Sequence, residues 1–362
     1  MAGGTVLARH GPAREVRTTT TEVRSSVERL LDSSEKHLSC AAPEERGAAR
    51  IMAGMARDGL LVSPLRGLYV RASFWKGLNP REQHLALMRG LAVRHPDWVF
   101  CGPSAAVAHG LAVSFPLLRT VHVAYARGGR HDTAGVTWHY VNSDETTRAL
   151  GLCVTSFERT VCDCLRSMAT GDALAVADSA LRVTGYDRQW LVDLVWDHCE
   201  HRRGVAQAML VASLADGRAE NGGESVARAT MYELGFQMPD LQVSFPDVLT
   251  GEPYRVDFLW RLGDDTLVAG ELDGKDKYQD PAMLAGRSTV EAFSDERLRE
   301  SRLTRDVKVV RFSYAVAKSP KRLRVLLDSY GIPHDDAPRP HDLLAPPKRR
   351  SDHGGHHAKP KG

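Results

Sequence analysis

The alternation of apolar and polar positions is clearest in the carboxyl-terminal third of the chain. Residues 254–260 carry an apolar side chain at every second position, with Asp257 among the intervening residues, which is typical of a β-strand. A Gly-Asp-Asp turn leads to residues 267–274, where the same period places Glu271 and Asp273 on one face. The pattern therefore predicts two adjacent strands. In the first strand, Asp257 is on one face and four apolar residues are on the other: Tyr254, Val256, Phe258 and Trp260.

A helical pattern precedes these two strands. Residues 226–234 have an apolar stripe, and Gly235 follows as a typical helix end. Glu224 lies three and seven residues before Ala227 and Met231 of that stripe, so we expect its side chain on the apolar side. The remaining predicted elements are a strand at 241–245, a charged helix at 295–303, a strand at 307–312 and a closing helix at 321–328. The predicted order is helix–β–β–β–helix–β–helix.

This order and its acids resemble a restriction-endonuclease-like domain of the PD-(D/E)XK type, in the variety related to very-short-patch-repair nucleases, from about Gly222 to Ile332. The resemblance implies an α/β fold in which helices flank a mixed sheet. It also implies that an acid on the first helix and two acids on neighbouring strands hold one or two Mg²⁺ ions. Residue by residue, Glu224 matches the helix acid, Asp257 the first strand acid and Glu271 the second.

The third motif position departs from the common pattern. Many relatives have lysine two residues after the second acid, whereas this chain has Asp273 in a Glu-Leu-Asp-Gly run that resembles the version of many bacterial members. Asp273 would assist or orient water, and Lys275 or Lys277 would steady the developing charge. Relatives have an arginine-rich helix after the site, so we expect Arg299 and Arg302 to contact phosphates; the alternative is a solvated helix face with ordinary Glu/Arg pairs.

Clustered carboxylates need a counter-charge. Two like charges about 4 Å apart repel by roughly 4 kcal/mol at an effective dielectric of about 20, so either a cation is present or one acid keeps its proton. Hard oxygen ligands suit Mg²⁺ or Mn²⁺ rather than zinc, and such an ion would support hydrolysis of a phosphodiester. The alternative is that Asp257 and Glu271 are strand-edge acids that meet nearby arginines.

Short helices and strands alternate in the amino-terminal region. A helix with an apolar stripe that begins at Val23 precedes a second helix, which opens at Pro43 and ends at Gly59. Two short apolar stretches then flank a basic turn at 63–67. This is the order of a winged helix-turn-helix, with four arginines as candidate DNA contacts: Arg46, Arg50 and Arg57 along the second helix and Arg66 at the wing tip. The alternative is that these arginines only solvate an exposed helix.

Residues from about 40 to 184 resemble the AbiEi-type antitoxins of type IV toxin–antitoxin systems. The resemblance rests on short motifs in the right order: Gly-Pro-Ser-Ala-Ala at 102–106, His-Gly-Leu at 109–111, a hairpin of 121–123 with 136–139, and Val-Thr-Ser-Phe-Glu-Arg-Thr-Val-Cys-Asp at 154–163. It implies that the winged helix binds promoter DNA and that the following domain supports antitoxin activity. A toxin protein would then be a partner.

Four polar residues of this region fit structural roles better than chemical ones. His122 and His139 stand among alternating apolar residues, so we expect them, like His109, to be packed or surface strand histidines. Asp163 follows two threonines and is expected to cap or orient a helix start.

Composition limits the possible functions. The 362 residues include 48 Lys and Arg against 45 Asp and Glu, for a net charge of +3, so any contact with nucleic acid is local rather than spread over the chain. The six cysteines have no framework spacing, and the sequence has neither a signal peptide nor a long apolar run. We therefore expect a cytoplasmic protein with free thiols and no membrane association.

These patterns together predict a multi-domain chain. Its segments are a disordered start at 1–21, a winged helix-turn-helix at 22–75, an antitoxin-like α+β domain at 76–184, a helical bridge at 185–221, the nuclease-like domain at 222–333 and a disordered basic tail at 334–362. The favoured function is a DNA-associated protein with a Mg²⁺-dependent endonuclease domain. The alternative is a non-enzymatic antitoxin and transcriptional regulator with a degenerate nuclease fold; RNA cleavage is a third, weaker interpretation.

Overall fold

The computed structural model describes residues 20–128, 131–141, 145–246, 253–273 and 307–334. It is a mixed α/β structure with several sheets, as the sequence predicts at that coarse level. The chain divides into two compact units. Unit 1 comprises Met1–Trp98 with His131–Thr137, and unit 2 comprises Val99–Arg130 with Trp138–Gly362. No helix in the described ranges combines the length and the apolar character that a membrane crossing requires.

Unit 1 contains the two helices and the two strands predicted for the amino-terminal region. Its elements are α1 (Thr20–Lys36), α2 (Arg46–Arg57), β1 (Leu61–Val62), β2 (Val70–Arg71), α3 (Ala72–Gly77) and α4 (Pro80–Arg94). Helices α1 and α2 pack through a small core that contains Val27, Leu31 and Met52. Strands β1 and β2 are antiparallel, and Arg71 at the end of β2 forms ion pairs of 2.7 to 2.9 Å with three acids of α1.

Unit 2 begins with a five-stranded sheet in the order β5-β4-β3-β7-β6. Its elements are β3 (Val99–Phe100), α5 (Gly102–Ala108), β4 (Val121–Tyr125), β5 (Val136–Tyr140), β6 (Thr146–Ala149) and β7 (Leu152–Thr155). Strands β3 and β7 are parallel, whereas β3 with β4 and β6 with β7 are antiparallel. The predicted hairpin strands β4 and β5 are thus neighbours in this sheet.

Four helices follow this sheet and build the largest apolar core of unit 2. They are α6 (Phe157–Ser167), α7 (Thr170–Thr184), α8 (Arg188–Cys199) and α9 (Val205–Leu214). Helix α7 is buried along most of its length. The six cysteines are free thiols, as expected from their spacing.

The carboxyl-terminal part of unit 2 is a four-stranded sheet in the order β11-β10-β9-β8. Its elements are α10 (Gly222–Leu234), β8 (Asp240–Pro246), β9 (Pro253–Arg261), β10 (Leu267–Asp273), β11 (Val307–Ser313), α11 (Tyr314–Ala317) and α12 (Pro320–Ser329). Strand β9 is antiparallel to both of its neighbours, β8 and β10, and β11 is parallel to β10. The predicted order of elements is confirmed except for the helix at 295–303, which lies outside the described residues.

The alternation predicted for β9 is wrong in one respect, because its four apolar residues do not share one face. These residues are Tyr254, Val256, Phe258 and Trp260. The first two pack in the apolar cluster around Ala269, whereas the last two pack in the cluster around Val268. Ala269 and Val268 are consecutive residues of β10 and therefore point to opposite faces of the sheet. Strand β9 thus changes faces at Asp257.

The backbone of Gln242 accounts for this change of face. Its φ of 55° lies in the left-handed region, which a residue with a side chain rarely adopts inside a strand. The register of β8 and β9 places Gln242 opposite Asp257. On β8, too, Leu241 packs in one cluster and Val243 in the other. The two strands therefore twist together at the point where the predicted acidic site lies.

Candidate functional site

Glu224 lies in the first turn of α10, and its side chain is almost completely buried. Asn221 caps the helix by accepting hydrogen bonds from the backbone N–H groups of Gly223 (2.8 Å) and Glu224 (3.1 Å). A Cβ atom on Gly223 would come within 2.8 Å of Leu272, so glycine lets the helix end approach β10. The exposed fraction of Glu224 is 1%, which confirms that it lies on the apolar side of its helix.

The Glu224 carboxylate is held by three donors. Its Oε2 accepts hydrogen bonds from the backbone N–H of Glu220 (2.8 Å) and from Nε2 of Gln242 (3.1 Å), and its Oε1 accepts one from the Asn221 amide. Burial, and to a smaller extent the negative charge of Asp257, raise the pKa of Glu224 to about 7. The structure therefore brings Glu224 within electrostatic reach of Asp257, as the sequence predicts.

Asp257 lies where strands β9 and β10 separate. Their backbone pairing runs from Leu267 with Arg261 to Gly270 with Phe258. Beyond that pair, Oδ2 of Asp257 accepts a hydrogen bond of 2.8 Å from the backbone N–H of Leu272. The carboxylate thus replaces a backbone acceptor, and it is held in a fixed position between the two strands.

Glu271 and Asp273 follow on β10, and each has a different neighbour. Glu271 is half-buried, and its Oε1 accepts a hydrogen bond of 3.2 Å from the Tyr254 hydroxyl. Asp273 is exposed and lies 3.7 Å from Nη1 of Arg311. Asp273 thus forms an ion pair with an arginine, whereas the alternative named Asp257 and Glu271, for which it stays a hypothesis.

The arrangement of these acids limits how a metal ion would be held. Among the described residues, no group of three or more His, Cys, Asp or Glu side chains is close enough to bind a metal ion. Mg²⁺ binds through one or two carboxylates and keeps several waters, and Glu224 and Asp257 are two carboxylates whose like charges interact. The pair thus fits a Mg²⁺ ion. Four cationic residues predicted for this site lie outside the described residues: Lys275, Lys277, Arg299 and Arg302.

Gln242 is a site residue that the sequence analysis missed. It donates to Glu224, lies opposite Asp257 and has a left-handed backbone. Strained backbone of this kind costs about 1–3 kcal/mol and is concentrated at functional sites. Nothing in the sequence marks this position, because glutamine between Leu241 and Val243 looks like an ordinary exposed strand residue.

The candidate DNA contacts of unit 1 lie on the exposed face of α2 and on the turn after β1. Arg46, Arg50 and Arg57 are exposed, and at about 100° per residue they fall within about 40° around the helix. The buried residues of α2, Ala48 and Met52, lie on the opposite side. Arg66 is exposed in the turn between β1 and β2. The helix therefore separates a basic stripe from an apolar one.

The histidines of unit 2 have structural neighbours. Nε2 of His109 lies 2.8 Å from the carbonyl oxygen of Thr155, and the rings of His122 and His139 are stacked with a nitrogen–nitrogen distance of 2.8 Å. These contacts confirm the prediction that they are packed or strand residues. The prediction for Asp163 is wrong, because Ser156 caps α6.

Asp163 instead lies inside α6 and binds two arginines of its own helix. Its oxygens are 2.6 Å from Nε of Arg159 and 2.8 Å from Nη2 of Arg166. The i, i+4 and i, i+3 spacings place all three side chains on one side of the helix, so local helix geometry decides the role of Asp163.

Comparison with known proteins gives relatives but no activity. No family model matches the chain. Two proteins from two strains of Mycobacterium tuberculosis, the uncharacterized proteins MT2308 and Rv2248, are each 30% identical to the chain over 235 residues. The match covers 64% of this chain and 83% of each mycobacterial protein.

Proposed function

The chain belongs to the same family as these two mycobacterial proteins, and we propose that it is a DNA-associated, Mg²⁺- or Mn²⁺-dependent nuclease. In this proposal, the carboxyl-terminal part of unit 2 is a PD-(D/E)XK-type domain that hydrolyses phosphodiester bonds. The order α10–β8–β9–β10–β11 and the parallel pairing of β10 with β11 support it, since the resemblance implies a mixed sheet of this kind.

One observation carries the proposal: a buried carboxylate, Glu224, is held beside a second carboxylate, Asp257, at the point where two strands separate. Two acids in such a position destabilise the fold by mutual repulsion and desolvation. A divalent cation with hard oxygen ligands would remove both penalties. This is the physical reason to assign the pair to a metal ion rather than to stability.

Each residue of the site has a role in the proposed reaction. Glu224 and Asp257 would hold the ion. Glu271 would either turn towards the ion or stay hydrogen-bonded to the Tyr254 hydroxyl. The ion would supply positive charge that stabilises the phosphoryl oxygens and the leaving group. Asp273, at the exposed end of β10, would orient the attacking water. Lys275 or Lys277, just beyond β10 in sequence, would contribute positive charge beside the leaving group.

Plasmid nicking by the full-length chain tests this proposal. We expect nicking of supercoiled DNA that requires Mg²⁺ or Mn²⁺, and we expect Asp257→Asn to reduce its rate at least about 100-fold, because loss of groups that only support a metal ligand already costs about 10–100-fold. Asp265→Asn is the matched control, since Asp265 is exposed in the turn between β9 and β10 and has a left-handed φ that asparagine tolerates. Equal nicking by wild type and Asp257→Asn would contradict the proposal.

A second candidate function is a non-enzymatic antitoxin that represses its own promoter. The observation that favours it is the basic stripe of α2, together with the hairpin β1–β2 as a wing; in a winged helix-turn-helix, the arginines of α2 would contact the major groove and Arg66 a minor groove or phosphate. Here the nuclease-like sheet would serve as a platform for a partner such as a toxin. Calorimetry separates the two functions, because absence of Mn²⁺ binding at millimolar concentration would favour the regulator.

A further inference from the structure

A basic, partly aromatic surface begins directly after β11, and the proposed function gives it no role. It consists of α11 and the first turn of α12 and is called here the α11–α12 surface; its residues are Tyr314, Lys318, Lys321 and Arg322. All four side chains are exposed. We propose that this surface binds the phosphate backbone of DNA and stacks an unpaired base on Tyr314.

The α11–α12 surface concentrates positive charge. Arg324, which is also exposed, follows its three cations, so four positive residues fall within residues 318–324. The first turn of α12 contains no acid. None of the four forms an ion pair within the described part of the chain. Positive charges at the start of a helix add to its positive dipole end and are therefore unfavourable there. An anionic partner would remove this cost.

Tyr314 connects these cations with the acidic pair. Its Cδ2 atom lies 3.6 Å from the position that a Cβ on Gly223 would take, and Gly223 directly precedes Glu224. The side chain nevertheless remains 39% exposed. A ring that is supported on one side and open to solvent on another can stack with a base, which is worth about 1–3 kcal/mol per base.

The sheet topology brings the remaining groups to the same edge. Parallel strands β10 and β11 end together, with Asp273 opposite Ser313, and Tyr314 is the next residue. Lys318 lies one turn further, since its backbone N–H donates to the Tyr314 carbonyl oxygen at 3.0 Å. The acids, the aromatic ring and the first cation therefore share one edge of the sheet.

Charge complementarity identifies the occupant as a polyanion with bases. Carboxylates such as Glu224 and Asp257 repel phosphates, so a nuclease site needs nearby cations to hold its substrate. The exposed ring selects a nucleic acid over other polyanions, because only nucleic acid offers a base to stack. The inference rests on the proposed function for the meaning of the neighbouring acids, but DNA binding itself requires no metal.

The test measures DNA binding by the full-length chain in EDTA with a fluorescently labelled single-stranded oligonucleotide and a duplex. The variants are made in a background of Arg46→Ala, Arg50→Ala and Arg57→Ala, which removes the basic stripe of α2. We expect the triple variant Lys318→Ala, Lys321→Ala and Arg322→Ala to weaken binding at least about tenfold. The slope of the logarithm of the binding constant against the logarithm of the salt concentration should also become less steep by about two. Each phosphate contact with a single strand contributes about 0.7 to this slope, and three cations are removed.

A second arm tests the ring. Tyr314→Ala should weaken single-strand binding about 5- to 100-fold and leave duplex binding unchanged, whereas Tyr314→Phe should bind like the parent. Lys308→Ala is the matched control, because Lys308 is an exposed cation near the opposite end of β11. Thermal melts of each variant verify folding.

Several results would overturn the inference. The first is unchanged affinity and salt dependence in the triple lysine and arginine variant, and the second is equal binding by Tyr314→Ala and Tyr314→Phe. The third is a lack of DNA binding by the background variant without the α2 arginines. The fourth is at least tenfold tighter binding of an RNA with the same sequence. Failure of the nuclease proposal looks different, because DNA binding in EDTA would persist while Mg²⁺-dependent nicking by wild type would be absent.

Discussion

Two buried carboxylates on neighbouring helices of unit 2 are held in opposite ways. Asp178 on α7 is 1% exposed and lies 2.8 Å from the guanidinium of Arg228 on α10. It also accepts hydrogen bonds from the Ser225 hydroxyl (2.8 Å) and the backbone N–H of Asp216 (2.7 Å). Burial raises the pKa of Asp178, and the charge of Arg228 opposes that rise. This acid is balanced, and it joins α10 to α7.

Glu224 is equally buried, but its charged neighbour has the same sign. Burial raises its pKa, and the Asp257 carboxylate raises it further instead of opposing the rise. Its hydrogen-bond donors are neutral groups of Glu220, Asn221 and Gln242. The difference teaches that burial alone does not identify a functional acid. Our proposal instead uses the sign of the neighbouring charge, because two like charges close together destabilise a fold that lacks a ligand.

The largest expected effect follows from breaking the balanced pair. Asp178→Ala leaves Arg228 buried without its carboxylate, so we expect the free energy of unfolding to fall by about 3–5 kcal/mol. Urea denaturation measures the change. The double variant Asp178→Leu with Arg228→Met should recover part of the loss, since apolar replacement of a buried ion pair is often neutral. A loss below about 1 kcal/mol in Asp178→Ala would contradict this view of the pair.

The pH dependence of stability tests the unbalanced acid. The pKa of Glu224 is about 7 in the folded protein, against an ordinary value of 4.5, so the folded state binds the proton more tightly between these pH values. The free energy of unfolding should therefore fall as pH rises from 4.5 to 7, by about 3 kcal/mol in total. Glu224→Gln should remove this fall. Urea denaturation measures the free energy of unfolding of both proteins at each pH. The same decrease in wild type and in Glu224→Gln would contradict this role of Glu224.

Magnesium should reverse this loss at alkaline pH. At a concentration ten times its dissociation constant, Mg²⁺ should stabilise the wild-type chain by about 1.4 kcal/mol at pH 8. At pH 5.5 the effect should be much smaller, because Glu224 is then protonated and the ion must displace that proton. Thermal melts with and without Mg²⁺ measure both values, and Asp257→Asn serves as the control that should not respond. Equal stabilisation of wild type and Asp257→Asn would assign the ion to another place.

The smallest effect is expected at the exposed acid of β10. Asp273 lies 3.7 Å from Arg311 in contact with solvent, and exposed ion pairs contribute about 0–1 kcal/mol. Asp273→Asn should therefore change the free energy of unfolding by less than about 0.5 kcal/mol at any pH between 5 and 8. A larger change in urea denaturation would show that Asp273 belongs with the buried acids.

Much of the local structure could be predicted from periodicity. The stripe that begins at Val226 marks α10, and Gly235 ends it with a left-handed φ of 77°. The alternation of β9 and β10 was also predicted, since a strand with buried residues repeats every two positions. Periodicity failed at Asp257, because the left-handed backbone of Gln242 reverses the faces of β8 and β9 there.

The sequence by itself determined the order of the helices and strands, the basic stripe of α2 and which acids are candidates for chemistry. These depend on residue type and on spacing along one element, which are local properties. Only the tertiary structure decided that Asp178 meets Arg228 and that Gln242 donates a hydrogen bond to Glu224. The members of these two pairs are 50 and 18 residues apart in the sequence. Which side chains meet is set by their distance in space, and a pattern along the chain does not contain that distance.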